Sequence, residues 1–161
     1  MKLEGKSIVV RDLTPQDESA LVRVVAEMQA TDARGDLAEV LADAADGRRA
    51  QCYAIALKAT DEVLGVVSVD EHPDLNETEL RYYLCGAFKG CGYTKEAVTL
   101  LSDHCLAQDN LPYLVFVAGE GDASAGRVAE KCGFTLYEKR VTVGHRLTGV
   151  SGDVYYYYRK Y

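Results

Sequence analysis

Hydrophobic and polar positions change period several times along the chain, and each change marks an element. Residues 7–13 alternate and predict an edge strand. A helix follows: Thr14 is a good N-cap, Pro15 suits the first helical position, and Asp17 and Glu18 favour the positive helix end. Leu21, Val24, Val25 and Met28 recur at helical spacing and give one buried stripe. A linker at 30–35 leads to a second, alanine-rich helix at 36–45 that stops near Gly47. Strands rich in Ile, Val and Tyr are expected at 51–58 and 63–69, joined into a hairpin by a turn at 59–62. A polar loop at 71–77 separates them from a strand at 79–84. In the helix expected at 96–107, Ala97, Val98, Leu101 and Cys105 share one face, so it lies against a sheet. The apolar run 114–118 predicts a short strand buried on both faces. A helix at 122–131 ends at Gly133 in a left-handed stop. Residues 134–143 and 154–159 form a last hairpin around a long loop with three glycines. The tyrosine run 155–158 suits a strand covered on both sides better than a base-stacking surface, because alternate side chains point to opposite faces.

The stretch Phe88-Lys89-Gly90-Cys91-Gly92-Tyr93-Thr94-Lys95-Glu96-Ala97-Val98 joins a strand to a helix. A glycine-bearing turn there leaves several N–H groups pointing one way, and the helix adds its positive end, so the place favours phosphate. Glycine also lets a ligand approach the main chain closely. The loop lacks the Gly-Lys-Ser/Thr of a Walker-type loop. It also lacks the third glycine and the distant acidic residue of a dinucleotide fingerprint.

Two segments in this order resemble the GCN5-related N-acetyltransferase superfamily, nearest its ribosomal-protein-alanine N-acetyltransferase branch. Arg81-Tyr82-Tyr83-Leu84 through Lys89-Gly90-Cys91-Gly92-Tyr93-Thr94-Lys95-Glu96-Ala97 aligns without a gap with the branch's strand and loop. Arg127-Val128, Glu130-Lys131 and Gly133-Phe134 match its later helix signature. The resemblance implies a single acyl-CoA N-acyltransferase domain over residues 1–161. The implied fold is α+β with three layers, a mixed and mostly antiparallel central sheet flanked by helices, and a last strand inserted within that sheet. It implies that the helical pair before the first hairpin walls the acceptor side. Acetyl-CoA is the implied cosubstrate, and a primary amine the acceptor: a protein N-terminal amine, or the amine of a small molecule. By match, Lys89, Gly90, Cys91, Gly92, Tyr93 and Thr94 receive the pyrophosphate, and the main chain near Tyr83 and Leu84 pairs with the pantetheine arm. Asp122 and Arg127 match positions near the cofactor. Lys89 and Arg127 could equally be plain surface residues, and Cys91 an inert spacer in a variable loop position.

The chain departs from the family at its customary proton donors. Ala125 stands where the family has Ser, Asp122 where it has Asn, and Ala129 where many relatives carry Tyr. Ser124 is adjacent, roughly 100° around the helix, unless the small residues 123–126 mark a different helix start. Ser124, Tyr137 and Tyr83 are the candidate donors. Glu79, at the start of the strand before the loop, is the candidate for taking the amine's proton; the alternative is a solvent-facing strand end. Acyl transfer can draw much of its rate from holding donor and acceptor together, so few dedicated groups are needed. The rival function is a module that binds acyl-CoA without chemistry, motivated by Ala125 and Ala129.

Length and charge narrow the field further. A chain of 161 residues with 48% apolar residues can bury a substantial core. The net charge of −7 argues against nucleic-acid binding and leans toward cationic or amine partners. No leader or spanning run is visible, so no membrane partner is expected and a cytoplasmic address follows by default. Cys52, Cys85, Cys91, Cys105 and Cys132 show no metal spacing, His72, His104 and His145 form no ligand cluster, and no metal is expected. A homodimer is left open.

Overall fold

The computed structural model describes residues 1–30, 50–120, 123–142 and 153–161. The expected helix at 36–45, its linker, Asp122 and the glycine-bearing loop near 144–152 lie outside the described residues. Strands β1 (Lys2–Glu4), β2 (Ile8–Asp12), β3 (Ala50–Leu57), β4 (Val63–His72), β5 (Glu77–Leu84), β6 (Leu114–Gly119), β7 (Thr135–Thr142) and β8 (Asp153–Lys160) form one sheet in the order β1-β2-β3-β4-β5-β6-β8-β7. Every neighbouring pair is antiparallel except β5 and β6. The sheet is therefore mixed and mostly antiparallel, and β8 is inserted between β6 and β7, as expected.

Helices α1 (Glu18–Ala30), α2 (Tyr93–Gln108) and α3 (Ala123–Lys131) complete the layers. The stripe Ala97, Val98, Leu101 and Cys105 of α2 is buried with Leu80, Leu84, Leu114 and Phe116 of the sheet, and Ala125 and Ala129 of α3 join the same cluster. On the opposite face Val24 and Met28 of α1 pack on Cys52, Val66, Tyr83 and Cys85. Glu96 fastens α2 to the sheet, its Oε1 accepting the N–H groups of Ser7 at 2.7 Å and Ile8 at 3.2 Å. Gly133, at φ 91°, ends α3 in the left-handed conformation anticipated for it.

Three boundaries differ from expectation. β2 is not an edge strand, because β1 pairs along it from Lys2↔Arg11 to Glu4↔Val9. Three residues are too few to show a period, which is why β1 escaped notice. The polar loop expected at 71–77 is shorter: β4 and β5 stay paired out to His72↔Glu77, and only 73–76 turn, with Asn76 at φ 52°. Charged side chains at alternating positions hid the pairing. Thr14 opens a short 3-10 turn (Pro15–Asp17), and α1 follows from Glu18.

That turn is held by a buried ion pair. Asp17 accepts the Thr14 N–H at 2.8 Å and takes both terminal nitrogens of Arg11, at 2.8 and 2.9 Å. The Arg11 hydrogen bonds outweigh the desolvation of Asp17 and hold its carboxyl at about 2. A carboxyl held low stabilises the fold fully above its unfolded value near ~4. That contribution fades as pH falls through about 2. We expect Asp17→Asn to lose roughly 2 kcal/mol in urea unfolding at pH 7, and the gap from wild type to close as pH falls from ~4 toward ~2. A gap independent of pH would refute the ion pair's role.

Candidate active site

β5 and β6 run parallel and pair at a single register, Glu79↔Val115. Beyond it they part around a cleft of about 720 Å³. Glu79 through Leu84 line one wall, and Phe116, Val117 and Gly119 of β6 another. Ser124, Ala125, Val128 and Lys131 of α3 close one side, with Tyr155 of β8. Lys89, Gly90, Gly92, Tyr93, Thr94 and Lys95 form the end where β5 hands over to α2.

The loop has the conformation that its glycines allow. Gly90 and Gly92 sit at φ 86° and 82°, and Gly92 is the N-cap of α2. A Cβ at either would meet nothing within 4 Å, so the glycines serve backbone conformation and open space, not packing. Before them, a short turn (Gly86–Phe88) is pinned from α1: Glu27 accepts the Gly86 N–H at 3.1 Å. That hydrogen bond, with lesser help from Cys85, Tyr83 and the Lys89 charge, lowers the Glu27 carboxyl below its ordinary value.

The opposite end carries charge. Glu79 is only 9% exposed, although a solvent-facing strand end was the alternative expected for it. Its Oε2 accepts a close hydrogen bond from Arg81 Nε and lies 3.6 Å from His72 Nε2. Asp70 stands opposite Glu79 in the ladder, with its Oδ2 3.6 Å from the same imidazole nitrogen. Ser68, opposite Arg81, is fully buried, and its hydroxyl has no partner among the described residues. Among the described residues no group of His, Cys, Asp and Glu converges to hold a metal ion.

The cleft thus gathers Glu79, Ser124, Tyr83, Leu84, Lys89, Gly90, Gly92, Tyr93 and Thr94. Among the described candidates it does not gather Tyr137, Cys91 or Arg127. Tyr137, on β7, packs beneath Arg159 with 4.0 Å between guanidinium and ring, and its buried hydroxyl has no partner among the described residues. Burial, its largest influence, pushes the Tyr137 phenol up. Cys91 is exposed beside the cleft, and Arg127 is exposed on α3. Tyr83, though it lines the cleft, buries its ring in the cluster under α1. Ser124 is the second residue of α3, and Ala125 is buried beside it. Lys95, Lys131, His72 and Arg81 were not singled out from the sequence. The two lysines carried the signal of charge flanking a glycine loop and a helix end, and gather with Lys89 along the cleft of an acidic protein.

An acetyltransferase (GNAT) domain model matches residues 8–135. The chain belongs to the GNAT acetyltransferase family and is an acetyl-CoA-dependent N-acetyltransferase. No curated protein is significantly similar in sequence. Solved structures are similar in fold. RimL, the ribosomal L7/L12 alpha-N-protein acetyltransferase in complex with coenzyme A, has a TM-score of 0.76 at 19% identity, over 99% of this chain and 97% of that one. The acetyltransferase from Salmonella typhimurium that modifies the N-terminal serine of L7/L12 has a TM-score of 0.74 at 19% identity, over 99% and 98%. An Agrobacterium tumefaciens acetyltransferase reaches 0.76 at 24%, over 100% and 94%. These likenesses concern the fold.

The cleft suits acetyl-CoA: an open glycine loop at a helix N-terminus for phosphates, three lysines for their charge, and a strand flank for an extended arm. A β-branched residue at Gly92 would be strained at φ 82° by about 1–2 kcal/mol. We expect Gly92→Val to fold and yet lose the rise in Tm that acetyl-CoA gives the wild type. An undiminished rise would remove the loop from the site.

Proposed function

We propose that the protein transfers an acetyl group to a primary amine, in first place the N-terminal amine of a peptide, by direct attack within a ternary complex. The observation that carries this is the pairing of two unlike ends in one cleft: a phosphate-type loop at 89–95, and a buried carboxylate at Glu79. Glu79 lies near the start of β5 and the loop follows its end, and five residue steps from Glu79 to Leu84 span about 17 Å at ~3.3 Å each. An extended ligand can therefore reach both. The names of the RimL structure, an alpha-N-protein acetyltransferase, and of the Salmonella typhimurium enzyme, which modifies an N-terminal serine, support the peptide class. A small amine is the alternative within the same chemistry.

Bound acetyl-CoA supplies an activated thioester. The loop amides and Lys89, Lys95 and Lys131 hold its phosphates and fix the acyl end toward Glu79. Glu79 takes the proton of the incoming ammonium, with Oε1 open to the acceptor because Arg81 and His72 both approach Oε2. Ser124, at the start of α3, holds a hydroxyl proton on the cleft wall for the departing sulfur. Buried Ala125 and Ala129 offer no hydroxyl, which is what favours the second reading, an acyl-CoA-binding module without chemistry.

A thiol-release assay over peptides with free N-termini, among them a Ser-initiated peptide, and over small primary amines separates the two. Transfer predicts acceptor-dependent thiol release and intersecting double-reciprocal plots. Parallel plots would indicate a covalent acyl-protein instead, and binding without release would establish the module. Glu79→Gln should lower kcat roughly 10²-fold or more, with the acetyl-CoA-induced rise in Tm intact. Unchanged kcat would dismiss Glu79 as the base.

A further inference from the structure

Building on the acetyl-transfer proposal, we infer that His72 carries the acceptor's proton from Glu79 to solvent. Each turnover would load one proton on Glu79, whose side chain is 12% exposed. The carboxyl must be emptied before the next cycle. Among the described residues only two side chains reach it, Arg81 and His72, both at Oε2. Arg81 cannot take a proton, because a guanidinium stays fully charged. His72 can, and histidine is the side chain that ordinarily exchanges protons near neutral pH. It ends β4 beside the 73–76 turn, and its side chain is 34% exposed. One imidazole therefore touches the buried carboxyl on one side and water on the other.

The proton accounting closes without a further reactant. One N–H bond of the ammonium breaks as the Glu79 O–H forms; the second N–H proton, lost after attack, replaces the one that Ser124 gives the departing sulfur. Rotation of the carboxyl group brings the Glu79 O–H from the acceptor side to the His72 side, where it breaks as Nε2 of neutral His72 gains the proton, and the imidazolium releases a proton to water from its other nitrogen. The 3.6 Å between Nε2 and Oε2 exceeds a hydrogen bond, and such contacts commonly tighten or take in one water when substrate is present. The groups facing His72 are Asp70 on its own strand, and Glu77, Glu79 and Arg81 on β5, with Arg159 of β8 3.5 Å from Glu77. Asp70 and Glu79 each place an oxygen 3.6 Å from Nε2, so the imidazole lies beside carboxylates and not in an apolar site.

The test has two arms. In the first, a Ser-initiated peptide is the acceptor, and His72→Gln and His72→Ala are compared with wild type. We expect kcat to fall about tenfold or more, the acid limb of kcat/KM to move in His72→Gln, and added imidazole to restore His72→Ala in proportion to its concentration. Wild-type kcat in both variants, or a loss that imidazole leaves untouched with an unmoved pH profile, overturns the relay. Glu79→Gln run alongside identifies a failure of the base assignment itself. The second arm needs no acceptor: NMR titration of the His72 ring in wild type and Glu79→Gln. A displaced midpoint supports proton coupling between the two side chains, and superimposable curves overturn it.

Discussion

The parting of β5 and β6 is the constraint on which the site depends. Parallel strands cannot be joined by a hairpin, so β5 must reach β6 through a crossover, here α2. Each of the two strands is then followed by a helix that starts at the same end of the sheet, α2 at Tyr93 and α3 at Ala123. Two positive helix ends therefore face one cleft. Because the ladder holds at Glu79↔Val115 alone, the space between the strands becomes a slot with a carboxylate where the strands meet and helix N-termini where they part. The antiparallel strands β1 to β4 lie on one side of that gap and β8 with β7 on the other.

Overall charge and local charge point in opposite directions. The chain carries −7, yet Lys89, Lys95 and Lys131 gather where phosphate would lie. Asp70, Glu77 and Glu79 gather at the opposite end, moderated by Arg81 and Arg159. The division suits a donor that is anionic and an acceptor that is cationic. The buried cysteines stay out of the chemistry: burial pushes the thiols of Cys52 and Cys105 up to about 12 and that of Cys85 up to about 11.

Much of this was legible in the chain, for local reasons. The glycine loop, the α2 stripe and the Gly133 stop are set by conformation and period within a few residues. The four tyrosines of β8 announced a strand covered on two faces, and Tyr158 is buried while Tyr155 reaches the cleft. What escaped depended on pairing across the sheet. His72 and Glu79 are seven residues apart, and only the register that places His72 opposite Glu77 brings them together. Tyr137 was a reasonable donor by residue type, but the irregular pairing between Leu136 and Glu138 and the Arg159 stack place it on β7, outside the cleft. Lys95 and Lys131 belong to different helices, and no spacing rule connects them.

The most direct measurement of the central claim is a crystal structure of the protein with coenzyme A. The account predicts the diphosphate on the N–H groups of residues 89–94, and the thiol arm lying between β5 and β6 toward Glu79. Coenzyme A bound elsewhere, or the β5–β6 cleft left vacant at saturating ligand, would contradict it.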